Sequence, residues 1–86
     1  MSNHDIPETS KLVQRMMILA ELQEHGALTT SDIREYLNAM MPAPRIMELR
    51  RQGWKIRTAM GWWPDSEGRL HRQAKYHFEG RVGGAT

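Results

Sequence analysis

Arg45, Glu48 and Arg51 stand three residues apart in the segment Pro44-Arg45-Ile46-Met47-Glu48-Leu49-Arg50-Arg51-Gln52. On a helix that spacing brings them to one side. An arginine donates two parallel hydrogen bonds to the O6 and N7 of a guanine, a glutamate accepts from the amino group of a cytosine, and two cations can frame one anion between them. The same spacing also makes a self-contained Arg-Glu-Arg ladder that stabilises a solvated helix by a few tenths of a kcal/mol per pair. Residue type and spacing leave both readings open. Gln52 extends the polar side. A second set of cations, Lys55, Arg57, Arg69, Arg72 and Lys75, follows in the next stretch, where side chains of this kind grip phosphates without reading sequence. If about four of these met phosphates, binding would weaken with salt at a log–log slope near about −4.

Catalytic and metal chemistry find less material. His4, His25, His71 and His77 are scattered without a ligand spacing, and there is no cysteine, which excludes thiolate metal sites and a disulfide framework. Ser2, Ser10, Ser31 and Ser66 fall at expected caps, turns or the tail, and Gly83-Gly84 lacks the strand-to-helix setting of a phosphate loop. The expectation is a protein that is not an enzyme and takes no metal, cofactor or small-molecule ligand.

The elements that must position these cations follow from periodicity. Residues 1–8 read as a loose tail. Thr9 or Ser10 caps a helix over Lys11 to His25, whose apolar positions Leu12, Met16, Leu19 and Leu22 recur at helical spacing and which stops at Gly26. Met17 and Ile18 broaden its apolar side, so contact on more than one side, from the fold or from a second subunit, is expected. Ala27-Leu28-Thr29 suits one short edge strand. Thr30 then caps a second helix over Ser31 to Leu37, with Ile33, Tyr36 and Leu37 inward. A third helix runs from Pro44 to Gln52 and stops at Gly53, with Ile46 and Leu49 inward and Arg45, Glu48, Arg51 and Gln52 outward.

After Gly53 the period changes to two. Trp54-Lys55-Ile56-Arg57-Thr58 alternates, Gly61 interrupts, and Trp62-Trp63 resumes before the turn formers Pro64 to Gly68. Ala74 to Phe78 alternates again, with Gln73, Lys75 and His77 on the wet face. Adjacent tryptophans on a strand point to opposite faces, so one of Trp62 and Trp63 is expected outside; either ring can close the core over Tyr76 or Met60, and an exposed one, with Met17, would mark a protein interface. The order helix, short strand, helix, turn, helix, strand, hairpin, strand is that of an α+β, mainly α, winged helix: a three-helix core with a helix-turn-helix and a C-terminal β-hairpin wing. The domain is expected over residues 9–79, with a flexible end over 80–86.

Eighty-six residues support one hydrophobic core. The net charge of +2 conceals a polarity. Up to Pro42 three cations meet six carboxylates, a balance of −3, and from Ala43 onward nine cations meet four, a balance of +5. A positive second half favours a polyanionic partner. No apolar run approaches the roughly 20 residues of a membrane span, and the polar start is unlike a signal peptide, so a cytoplasmic protein without a membrane partner is expected.

Ile18-Leu19-Ala20-Glu21-Leu22, Gly26-Ala27-Leu28-Thr29-Thr30, and Arg45-Ile46-Met47-Glu48-Leu49-Arg50 with Gly53 and Ile56 resemble the small winged helix-turn-helix proteins of phages and prophages, over roughly Leu12 to Phe78. The resemblance implies binding of double-stranded DNA, transcriptional or recombination control, and a bacterial cytoplasm. The expected function is a phage-type transcriptional regulator, with the third helix in the major groove, the wing on the backbone and a homodimer as one possible form. Two alternatives are an adaptor that binds a host or phage protein through the wing, and a directionality factor that bends DNA in recombination.

Overall fold

The computed structural model describes residues 10–82. Six elements follow in order: α1 (Lys11–His25), β1 (Ala27–Thr29), α2 (Thr30–Tyr36), α3 (Pro42–Arg51), β2 (Trp54–Pro64) and β3 (Leu70–Arg81). Three helices enclose a core that a hairpin completes, which is the winged-helix layout expected from the periodicity. The expected tails at 1–8 and, from residue 83 on, at the C-terminus lie outside the described residues, and β3 includes Gly80 and Arg81.

The Ser10 hydroxyl accepts from the Val13 amide at 3.2 Å and opens α1. Gly26 closes it at φ 83°, a left-handed conformation that costs other residues steric energy. Its carbonyl accepts from the Phe78 amide at 2.8 Å, so the end of α1 is tied directly to β3. The buried face of α1 is Gln14, Ile18 and Leu22, whereas Leu12 and Met16 are 58% and 61% exposed. The helix is therefore rotated from the expected Leu12–Met16–Leu19–Leu22 stripe. That rotation turns Arg15 toward α3, where its guanidinium meets Glu48.

Thr29, rather than Thr30, caps α2: its hydroxyl accepts from the Asp32 amide at 3.0 Å and the Asp32 carboxylate accepts from the Thr29 amide at 2.9 Å. This reciprocal box satisfies two otherwise unpaired donors and starts the helix one residue early. In two turns α2 buries Ile33 alone, and Tyr36, expected inside, is 70% exposed. The turn to α3 places Asn38 at φ 54° and buries Ala39 completely. Asparagine tolerates this left-handed backbone better than most residues. The Arg34 Nε donates to the Met40 carbonyl at 2.9 Å across the same turn. Helix α3 then begins at Pro42, two residues before the expected Pro44, because proline at the first helical position lacks only an amide hydrogen that would have no partner there.

The sheet is antiparallel in the order β1-β3-β2, with Leu28 opposite Tyr76 and Ile56 opposite Phe78. Its core-facing residues meet Ile18, Leu22, Ile33, Ile46 and Leu49, each fully buried. Burying an aliphatic side chain of this size stabilises the fold by about 1.5–3 kcal/mol. β2 runs unbroken through Gly61, contrary to the expected interruption. The Trp63 ring lies so close over Gly61 that a Cβ there would stand 2.7 Å from it. The glycine thus permits a close approach without ending the strand.

Candidate nucleic-acid interface

The third helix presents a different surface from the one its sequence suggests. Arg45, expected to point outward, is buried, and its Nη2 donates to Glu48 Oε2 at 3.0 Å while its Nε lies 2.8 Å from Glu48 Oε1. Arg15 of α1 donates from Nη1 to the same Glu48 Oε1 at 2.8 Å. Glu48 is thus clamped between two guanidinium groups, one from its own helix and one from α1. The hydrogen bond from Arg15, reinforced by Arg45, holds its carboxyl below the usual carboxylate range against the opposing effect of partial burial. The Nε atoms of both arginines are buried without a hydrogen bond, so the clamp rests on charge and on the outer nitrogens. It locks α3 against α1, and the expected outward ladder becomes an internal brace. Its physical cause is the Arg15 partner, 33 positions earlier, which draws Glu48 and with it Arg45 toward α1.

On the outer side of α3 stand Ala43, Pro44, Met47, Arg51 and Gln52, all exposed. Arg50 turns back: Nε donates to the Ile56 carbonyl at 2.8 Å and Nη2 to the Thr58 hydroxyl at 2.7 Å, which fastens α3 to β2. Of the cations expected to contact a polyanion, Arg51, Lys55 and Arg72 are exposed and make no hydrogen bond or ion pair among the described residues.

The rest are engaged. Arg57 Nε pairs with Glu79 at 3.0 Å and Arg69 lies 3.7 Å from Glu67, both on exposed surface. The Lys75 ammonium lies over the Trp63 ring, 5.4 Å from its centre, and the Arg81 guanidinium over Trp54 at 4.9 Å. Exposed pairs of this kind are weak and can exchange a carboxylate for a phosphate.

The hairpin tip is organised by Asp65. Its Oδ1 accepts from the Glu67 and Arg69 amides at 2.9 Å each, and its Oδ2 lies 2.7 Å from His71 Nε2. These bonds, the one with His71 foremost, hold the Asp65 carboxyl below its ordinary range. The Ser66 amide donates to Glu35 of α2 at 3.1 Å, so the tip is moored to the second helix. Gln73, expected on the wet face, is buried: its Oε1 accepts from the Ser31 amide at 2.7 Å and its Nε2 donates to the Trp63 carbonyl at 2.9 Å. Trp62 is the exposed tryptophan, at 63%, and Trp63 is half-buried; Met17 is 37% exposed on α1.

Sequence reasoning missed Arg15, Gln73 and Glu35. No local pattern marks them, because each works through a partner at least 31 positions away in the chain. A depression of about 460 Å³ between the end of α1, β1 and α2 is lined by Glu21, His25 and Asp32 among others. Among the described residues no group of three or more histidine or acidic side chains could hold a metal ion.

A three-helix core with a helix-turn-helix, a hairpin wing and a basic second half define a DNA-binding architecture. The model of the winged helix-turn-helix domain family matches residues 13–80, and the chain belongs to that family. This domain is a non-catalytic DNA-binding fold. Comparison with curated proteins and with solved structures returns no match. No helix among the described residues is long and apolar enough to cross a membrane.

Proposed function

We propose that the chain binds double-stranded DNA as a transcriptional regulator, with α3 in the major groove and the hairpin along the phosphate backbone. The observation that carries this reading is the open outer side of α3, where Arg51 and Gln52 stand exposed and Lys55 follows them at the start of β2, neither cation paired among the described residues. Arg72 on the hairpin is a further cation without an ion pair among the described residues. Arg57, Arg69 and Lys75 are auxiliary backbone contacts that would leave their present partners. Arg45 and Glu48 take no part in contact and set the attitude of α3. A phage or prophage source is supported by the sequence resemblance alone.

A homodimer would present two copies of α3 to two half-sites. The outer side of α1 supports it, with Leu12, Val13, Met16 and Met17 exposed. Sedimentation at micromolar concentration reads the outcome directly. A second reading, an adaptor for another protein, is favoured by one feature: Met60, Trp62 and Leu70, between 56% and 63% exposed, share one face of the hairpin.

Fluorescence anisotropy with a labelled random duplex, between about 50 and 200 mM salt, separates these readings. Three cations meeting phosphates give a log–log slope of about −3, and Arg51→Ala reduces it by about one. No binding at the lower salt concentration would refute the DNA reading. Loss of DNA binding on Trp62→Ala, with Arg51→Ala silent, would shift the contact to the hairpin.

A further inference from the structure

With Arg45 turned inward and Glu48 clamped, the side chains left at the open start of α3 are Ala43, Pro44 and Met47, all exposed, Met47 at 48%. They border a shallow depression of about 340 Å³ that Glu48 and Arg51 complete. The first turn carries no carboxylate, and Pro42 and Pro44, first and third in the helix, have no amide hydrogen to offer. This end of the helix is therefore apolar and poor in hydrogen-bonding groups, while Arg51 stands one turn beyond Met47. Arg51, which lines it and makes no ion pair among the described residues, favours a polyanion over an apolar protein segment as the occupant.

A recognition helix meets base edges chiefly with its N-terminal residues. In the major groove thymine presents a methyl group, and apolar contact is how a side chain recognises it. Every base pair presents donors and acceptors there, thymine O4 included, that alanine, proline and methionine leave unpaired, and only a pair containing thymine adds a methyl group for them to pack against. Methionine, unbranched and flexible, adapts its thioether to such a contact. We infer that α3 selects thymine-bearing positions by packing Met47, with Ala43 and Pro44, against thymine methyl groups, while Arg51 anchors the end of the tract. This inference rests on the DNA-binding reading above and adds the base that the helix prefers.

The test uses the full chain. A preferred duplex is enriched from a randomised pool, and each thymidine in it is then replaced by deoxyuridine, which keeps every hydrogen-bonding group and removes only the methyl. At one or more positions the replacement weakens binding about threefold to fivefold. Met47→Ala brings the ratio between thymidine and deoxyuridine duplexes toward one, whereas Arg51→Ala weakens both alike. Met47→Gln, which keeps the length of the side chain, repeats the measurement with a polar end and also lowers the ratio.

Equal affinity for the two duplexes at every position, in a protein that binds DNA, would overturn the methyl contact and leave the DNA reading intact. A ratio unchanged in both Met47 variants would overturn the role of Met47. Absence of binding to any duplex would overturn the DNA reading, and this inference with it.

Discussion

Glu48 on α3 and Asp65 at the hairpin tip are both held more acidic than usual by their neighbours, yet the neighbours come from very different distances along the chain. Glu48 is clamped by Arg45, three positions away, and by Arg15, 33 positions away on another element. Every partner of Asp65 lies within six positions. The first arrangement joins two helices and sets the attitude of α3; the second closes a loop. Damage to the clamp should reach the whole domain, because small domains unfold cooperatively, whereas damage to the loop should remain local.

The largest effect is expected from Arg45→Ala. The substitution removes a buried guanidinium together with its packed stem and leaves Glu48 and Arg15 to rearrange, at about 2–3 kcal/mol in urea unfolding. Arg57→Ala deletes a pair of the same chemistry on the hairpin, where Arg57 and Glu79 are 54% and 34% exposed, and costs less than about 1 kcal/mol. Equal losses for the two variants would break the comparison between buried clamp and exposed pair.

The same contrast explains what sequence conveys about this fold. The Ser10 cap, the glycine stop at Gly26, the period-two strands and the turn formers around Asp65 act within a few residues, and each can be recognised where it stands. The inward turn of Arg45 is different. An arginine and a glutamate three apart look identical on a solvated helix and on a clamped one until Arg15 is brought alongside, and that approach is a property of helix packing. Gln73 likewise reads as an exposed strand residue, because the amide of Ser31 that draws it inside belongs to α2. The rotation of α1 fails for a related reason. Leu12 and Met16 are apolar enough to be core, and only the face that also carries Arg15 can meet both β3 and Glu48. Legibility therefore declines with the sequence distance of the partner, and the candidate surface inherits the error: its apolar start becomes visible only when Arg45 is removed from it.

Acid sharpens the comparison. A carboxylate whose pKa is lowered on folding contributes stability while it is ionised in both states; that contribution is lost as pH falls from its ordinary value, about 4, through the lowered one. Glu48→Gln should therefore be less stable than the parent near neutrality, while the two stability curves converge as pH falls below about 4. Urea unfolding across this range measures the convergence. Parallel curves would mean that Glu48 is not clamped in solution.

The smallest global effect belongs to Asp65→Asn, and it is the most discriminating. The amide side chain can keep one acceptor toward the Glu67 and Arg69 backbone, but it loses the charge that favours those bonds and the contact with His71. The midpoint of global unfolding should stay close to that of the parent, because every partner of Asp65 lies within the hairpin tip. Amide exchange at Glu67 and Arg69 should nevertheless accelerate severalfold, while Phe78 and Gly26, whose backbone bond ties β3 to the end of α1, keep their protection. In the parent, exchange at those two tip amides, corrected for its intrinsic pH dependence, should quicken as Asp65 becomes protonated, because the loop is held by the ionised form. Faster exchange throughout the core would instead show that the tip, moored to α2 through Ser66 and Glu35, is coupled to the helices as firmly as the clamp at Glu48.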